Sequence, residues 1–176
     1  MKKVYDPSEL KKESFDVFKM FNDDWALATA GNSGDFNTCT IAWGSLGDIW
    51  GPPNKGRSIV TIYISPARYT YEYLMKNDYF TVSFFDADYR KDLAYLGSHS
   101  GRDEDKVAKT RLTPVEIEHG VDYEEAKLTF VCRKIYHHPF VVENMIGLED
   151  VTETVYKKLP PHNEFIGEIV AVLKEE

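Results

Sequence analysis

The sequence predicts a mainly β domain with flanking helices, best described as an antiparallel barrel or sandwich with helices packed outside. Runs of apolar, β-branched and aromatic residues recur at strand length, and short turns join most neighbours, which favours antiparallel pairing. Strands and helices do not alternate strictly, as they would around a parallel sheet. Aromatic residues make up 14% of the 176 residues and supply much burial area. The chain has no visible repeat or linker, so residues 1–176 are interpreted as one domain.

The N-terminal segment predicts a short amphipathic helix. Asp6 suits the capping position, Pro7 the first helical position, and Glu9 lies three residues after the cap. Apolar residues then recur at roughly helical spacing as far as Phe21. We expect the helix to end near residues 22–24.

Strand-like runs predict seven strands, the first two forming a hairpin around the turn residues 31–35. The predicted strands are 25–30, 36–43, 58–64, 79–85, 113–118, 126–137 and 165–173. A glycine- and proline-rich loop is expected between Gly44 and Gly56. Further helices are predicted over 65–76 and 88–97, with a short one from Arg102. Residues 139–160 fit either a helix or a strand.

Composition and charge make several classes of function unfavourable. The net charge of −8 and the absence of a lysine- and arginine-dense run disfavour nucleic-acid binding, although a local anion site remains open. Two cysteines, Cys39 and Cys132, are too few for a disulfide framework or a cysteine metal cage, and no metal site is predicted. The N-terminus has no signal-peptide pattern, and no apolar run is long enough to span a bilayer, so a cytoplasmic protein is expected.

Small polar residues occupy one predicted strand, from Asn37 through Thr38 and Cys39 to Thr40. Small side chains beside a glycine-rich loop allow a flat ligand to lie against backbone amides. The alternative is an exposed strand face in which threonine is simply a good strand former.

The strand-to-helix junction from Ser65 to Thr70 is a candidate phosphate site. A helix N-terminus presents free amides, Arg68 is a bidentate phosphate donor, and Ser65 or Thr70 can add a hydroxyl. The alternative is an ordinary helix cap beside a surface arginine.

The segment 97–106 is a third candidate, because it combines Ser98, Ser100, Arg102 and Lys106 around a glycine-rich break. These side chains can hold an anion. The alternative is a solvated connection between two helices.

These three motifs, in this order, resemble the flavin reductase-like family of FMN-binding split β-barrels, and most closely its flavoredoxin-like branch. The resemblance extends over nearly the whole chain. It is carried by Asp24–Ala30, Asn37–Ser45, Pro66–Tyr73, Phe80–Phe85, Gly97–Asp103 with Lys106, and Gly167–Val170.

The resemblance implies a six-stranded Greek-key split barrel that forms a homodimer, with FMN bound near the dimer interface. It places the flavin ring and ribityl chain on the polar strand, and the phosphate at the helix junction and the third motif. Cys39 stands where the family often has methionine. The cofactor-binding residues expected from the motifs and the resemblance are Asn37, Thr38, Cys39, Thr40, Ser65, Arg68, Tyr69, Thr70, Ser100, Gly101 and Lys106.

The function implied is an NAD(P)H-dependent flavin oxidoreductase, in which hydride passes to bound FMN and electrons leave to a free flavin or a protein. The alternative is a non-catalytic FMN electron carrier that exchanges electrons with redox proteins. A redox-silent structural member of the family is a third class. Because the cofactor carries the chemistry, no acid–base catalytic residue is assigned.

Overall fold

The computed structural model describes residues 2–175, which form ten strands and three α-helices. None of these helices has the length and apolar character needed to cross a membrane. The strands are β1 (Lys3–Tyr5), β2 (Ala26–Asn32), β3 (Asp35–Ile41), β4 (Gly44–Ile49), β5 (Arg57–Ile64), β6 (Tyr79–Phe84), β7 (Pro114–Ile117), β8 (Gly120–Tyr123), β9 (Leu128–Pro139) and β10 (Asn163–Lys174). The helices are α1 (Tyr69–Lys76), α2 (Arg90–Ser98) and α3 (Glu149–Thr154).

The main sheet is antiparallel throughout, which confirms the predicted class. Its strands run in the order β3-β2-β6-β9-β10-β5-β4, and β1 pairs with the far end of β10. It therefore has eight strands, two more than the resemblance implies. A separate hairpin is made by β7 and β8.

The two outermost strands of the order, β3 and β4, are consecutive in the chain. Only Ala42 and Trp43 separate them. Because so short a link cannot span a flat seven-strand path, the sheet must curl until its edges lie side by side. Within residues 2–175, β3 and β4 share no ladder, so the resulting barrel stays split along this line.

Two apolar cores lie on opposite faces of β2, which explains why this strand is almost wholly buried. Ala26, Ala28 and Ala30 point into the barrel, while Leu27 points outward against α2 and the β7–β8 hairpin. The largest buried side chains inside the barrel are Phe80, Phe84, Phe130, Phe165, Ile62, Ile64 and Leu74. The outer core contains Phe85, Leu93, Leu96, Leu112 and Tyr123.

The single N-terminal helix predicted from the sequence is wrong. Asp6 does accept a 2.9 Å hydrogen bond from Ser8 N, but the helix is a 3₁₀ turn that ends at Lys12. A π-helical turn follows at Lys19–Asp24. The helix is interrupted between these turns because Phe15 packs on Phe130, at 5.9 Å between ring centroids. One regular helix would not direct both Phe15 and Phe21 into this core.

Four other expectations are corrected. The predicted loop 44–56 contains β4, because pairing with β5 overrides the low strand preference of its glycines. The strands β1 and β8 were not predicted, α1 begins at Tyr69 rather than at residue 65, and the helix expected from Arg102 is only a 3₁₀ turn at Val107–Lys109. The undecided region 139–160 holds α3 and a 3₁₀ turn at Val142–Asn144.

Replacing Gly44 by alanine tests the close packing at the split. A Cβ atom at Gly44 would lie 2.3 Å from Cε1 of Phe21, whose ring is buried against Phe84. We expect Gly44→Ala to lower the free energy of unfolding by about 1–3 kcal/mol in urea denaturation, as overpacking does.

The matched control is Gly47→Ala in the same strand. A Cβ there has no heavy atom within 4 Å, so the free energy of unfolding should change by less than about 0.5 kcal/mol. Equal effects from the two substitutions would contradict the proposed packing of Phe21.

Candidate functional site

A cavity of about 310 Å³ opens at the split of the barrel. It lies between the end of β3 with its link to β4, the end of β5 with the turn that follows, and the residue before β10. Its lining residues are Cys39, Thr40, Ile41, Ala42, Trp43, Tyr63, Ile64, Ser65, Arg68 and His162.

The backbone of β3 is available to a ligand along this line. This strand pairs with β2 on one side, from Asp35 to Ile41, and within residues 2–175 it has no partner on the other. In an antiparallel pair, alternate residues direct their N–H and C=O groups away from the partner strand. The free edge of β3 therefore offers backbone donors and acceptors at the cavity.

The hydroxyl groups of Thr38 and Thr40 are engaged by the fold. Thr38 Oγ1 donates to Ala28 O at 3.2 Å and accepts from Thr29 Oγ1 at 2.9 Å, inside the outer core. Thr40 Oγ1 donates to Leu93 O at 2.5 Å, which ties β3 to α2. These hydrogen bonds fix the orientation of the strand. The backbone of β3, and not these hydroxyl groups, remains available to a ligand.

Asn37 and Cys39 lie on the opposite face of β3, toward α1. Thr70 Oγ1 donates a 2.8 Å hydrogen bond to Asn37 Oδ1, and both residues are buried. A Cβ at Gly101 would lie 2.0 Å from Asn37 Nδ2, so a larger residue there would displace the buried Asn37 amide where the 97–106 loop approaches β3. The three motifs therefore lie together in space, as the resemblance implies.

The Cys39 thiol is 3% exposed, and burial raises its pKa. The interaction with the Thr70 hydroxyl and the charges of Lys106 and Arg68 oppose this rise without reversing it. The thiol is thus protonated at neutral pH and acts as a small apolar side chain in the cavity wall.

A tight turn between β5 and α1 places Ser65 and Arg68 at the cavity. Arg68 N donates to Ser65 O at 3.0 Å, and Ala67 N donates to Ser65 Oγ at 3.3 Å. No side chain caps the N-terminus of α1. The exposed Arg68 guanidinium donates to Gly97 O at 2.6 Å, and within residues 2–175 it forms no ion pair with a carboxylate.

Lys106 stabilises the third motif, residues 97–106, through hydrogen bonds of its side chain. Its side chain is buried, and Nζ donates to Leu96 O at 2.8 Å and to His99 O at 2.9 Å, the carbonyls at the end of α2. Burial lowers the pKa of this ammonium. A cation at a helix C-terminus is favoured by the helix dipole, and this one also fixes the loop that contains Ser100 and Gly101.

The expected binding residues divide between two neighbouring surfaces. Cys39, Thr40, Ser65 and Arg68 line the cavity at the split. A second, more polar cleft of about 380 Å³ on the same strand is lined in part by Asn37, Thr38, Gly101 and Lys106. The remaining expected residues, Tyr69, Thr70 and Ser100, line neither of these two surfaces.

Sequence reasoning missed His162, Trp43 and Tyr63 as cavity residues. His162 is isolated in the sequence and reaches the site only because Asn163, the first residue of β10, pairs with Ile64 at the end of β5. Burial and the nearby Arg68 charge lower the pKa of the His162 imidazole. No local motif predicts this placement, which depends on strand order alone.

Known proteins share the family and the fold of this chain. A family model described as the flavin reductase like domain matches residues 54–176. No protein with a curated functional description matches the chain. The fold is similar to that of solved split-barrel proteins, which confirms the predicted fold class.

Three solved structures illustrate the similarity. The flavoredoxin from Methanosarcina acetivorans is 23% identical, with a TM-score of 0.64 over 87% of this chain and 69% of that chain. The FMN-binding protein from Thermus thermophilus with bound 1-cyclohex-2-enone is 24% identical, with a TM-score of 0.63 over 86% of this chain and 70% of that chain. The flavoredoxin of Desulfovibrio vulgaris (Miyazaki F) is 25% identical, with a TM-score of 0.61 over 86% of this chain and 69% of that chain.

Proposed function

Because the chain belongs to the flavin reductase-like domain family, we propose that it binds FMN at the split of its barrel and acts as an NAD(P)H-dependent flavin oxidoreductase. One observation carries the proposal. Among the described residues, the Arg68 cation has no carboxylate partner and lies at a helix N-terminus that no side chain caps, beside an apolar and aromatic cavity on an unpaired strand edge. A flavin mononucleotide needs these two environments next to each other.

The charged part of the site fits a phosphate. The cavity lining includes Arg68 and, among the described residues, no carboxylate. Lys106 adds a buried positive charge behind Cys39. A phosphate monoester carries about 1.5–2 negative charges at neutral pH and forms charge-assisted hydrogen bonds with a guanidinium. A protein with a net charge of −8 can bind it because these cations are concentrated at one place.

The remaining wall fits a flat, largely apolar ring. Ile41, Ala42 and Ile64 supply aliphatic surface, and Trp43 and Tyr63 supply aromatic surface. The neutral Cys39 thiol adds no charge. The volume of about 310 Å³ is at the lower end of the range of roughly 300–1,000 Å³ for small-molecule sites.

FMN, when bound, supplies the hydride- and electron-transfer chemistry. The residues of this chain then have simpler tasks. Arg68 and the α1 amides hold the phosphate, the free edge of β3 offers hydrogen bonds to the polar edge of the ring, and the aromatic residues exclude water from one side.

A flavoredoxin-like electron carrier is the second candidate function. The similarity to two flavoredoxins supports it. Such a carrier would use the same cofactor site and exchange electrons with redox proteins in place of a nicotinamide. The two candidates therefore differ in the electron donor and not in the binding site.

The Arg68→Ala substitution tests the phosphate site. A charge-assisted hydrogen bond contributes about 1.5–3 kcal/mol, so FMN affinity should fall by about 10- to 150-fold. Riboflavin lacks the phosphate, and its affinity should barely change. Quenching of flavin fluorescence measures both.

The matched control is Arg57→Ala, which removes the same charge from the other end of β5, where Arg57 pairs with Glu168 at 2.7 Å. It should leave both affinities unchanged. Equal losses of FMN and riboflavin affinity in Arg68→Ala, or no loss of FMN affinity, would remove Arg68 from the site.

A nucleotide oxidation assay separates the two functions. With saturating FMN, we expect the protein to accelerate the oxidation of NADH or NADPH. The loss of nicotinamide absorbance measures the rate. At subsaturating FMN the Arg68→Ala protein should be slower, because less of it is loaded. An FMN-loaded protein that accelerates the oxidation of neither nucleotide would contradict the oxidoreductase function and favour the electron carrier, which reduction by a redox protein then tests.

We also propose that the protein is a homodimer. An open groove beside the site exposes apolar side chains, including 51% of Trp43, 92% of Ile146 and 44% of Leu148. Contiguous apolar surface of this kind is typical of an interface. Light scattering should give about twice the mass of 20.2 kDa, and a mass of one chain would contradict the proposal.

A further inference from the structure

The position of His162 is fixed by the ends of two strands. Its carbonyl oxygen accepts a 2.9 Å hydrogen bond from Phe140 N, which closes the excursion of residues 140–162 between β9 and β10. The next residue, Asn163, pairs with both Ile64 and Pro139. The pairing of β10 with β5 and β9 therefore fixes the backbone of His162 at the wall of the cavity.

The imidazole ring is held from two further directions. Tyr156, just after α3, places its hydroxyl 3.2 Å from His162 Nδ1. Trp43, from the link between β3 and β4, has its ring centroid 4.9 Å from that of the imidazole, at an angle of 51°. Because these contacts come from different elements, the ring orientation is determined more strongly than that of a surface histidine.

The hydrogen bond at Nδ1 bears on the other ring nitrogen. Burial and the Arg68 charge favour the neutral imidazole, which carries one N–H. If the Tyr156 hydroxyl donates to Nδ1, the proton of the ring is on Nε2. Within residues 2–175, Nε2 makes no hydrogen bond, so this tautomer leaves a neutral N–H donor on a residue of the cavity wall.

We propose that Tyr156 is a positioning residue that fixes His162 as the Nε2–H tautomer, and that His162 donates this hydrogen bond to a carbonyl oxygen or ring nitrogen of the flavin. The inference rests on the proposed FMN site. The proposal gives the segment 140–162, which connects β9 to β10, a role in recognition of the flavin ring. This role is separate from the recognition of phosphate by Arg68.

Nitrogen NMR of the imidazole in the flavin-free protein tests the first half. In the wild type, Nε2 should be protonated and Nδ1 should be the acceptor. In Tyr156→Phe the preference should weaken toward a mixture of tautomers. Protonation of Nδ1 in the wild type, or an unchanged spectrum in Tyr156→Phe, would overturn the role of Tyr156.

A double-mutant cycle on flavin affinity tests the second half. His162→Leu should weaken FMN and riboflavin alike, by about 2- to 10-fold, the range for one neutral hydrogen bond. Tyr156→Phe should weaken both by a smaller factor and have no further effect when combined with His162→Leu. His162→Gln, which retains an N–H donor, should recover part of the loss.

Tyr79→Phe is the control, because Tyr79 stacks on another histidine, His119, at 4.0 Å between ring centroids and does not line the cavity. It should leave both affinities unchanged. Additive losses in the cycle, a loss confined to FMN, or unchanged affinity in His162→Leu would contradict the proposal. If the wild type binds neither flavin, the FMN site and the donor role of His162 both fail, and the tautomer measurement alone decides the role of Tyr156.

Discussion

The two-residue link between β3 and β4 is the constraint on which the rest of the structure depends. Ala42 and Trp43 join strands that are the opposite edges of the main sheet, so the sheet has to curl until those edges meet. The curl creates the inner core, and the missing ladder between β3 and β4 leaves a line of unpaired backbone beside a cavity. The same link also supplies part of the cavity wall, including Trp43.

The polar groups around this cavity are divided between holding the fold and remaining available. Thr38, Thr40 and Lys106 each donate to backbone carbonyls. These hydrogen bonds keep β3 and the end of α2 rigid, because breaking one would leave a buried polar group without a partner at a cost in free energy. The exposed Arg68 charge and the free edge of β3 remain, which is why the proposed ligand is both anionic and flat.

The sequence predicted the β class and most strands, because these depend on local patterns of apolar and β-branched residues. It also identified the junction around Arg68, since a strand end, a proline and an arginine are adjacent in the chain. It failed where distant contacts override local preference. The strand β4 forms from a glycine-rich segment because β5 pairs with it, and the N-terminal helix breaks because Phe15 and Phe21 are drawn into the core. His162 reaches the cavity through the order of β5 and β10 alone.

The central claim is that the split of the barrel is a flavin site, and a crystal structure of the protein with FMN tests it most directly. The account predicts the flavin ring in the cavity between Cys39–Trp43 and Tyr63–Ser65, with the phosphate in contact with the Arg68 guanidinium. FMN bound at another surface, or a cavity at the split that stays empty in crystals grown with excess FMN, would contradict it.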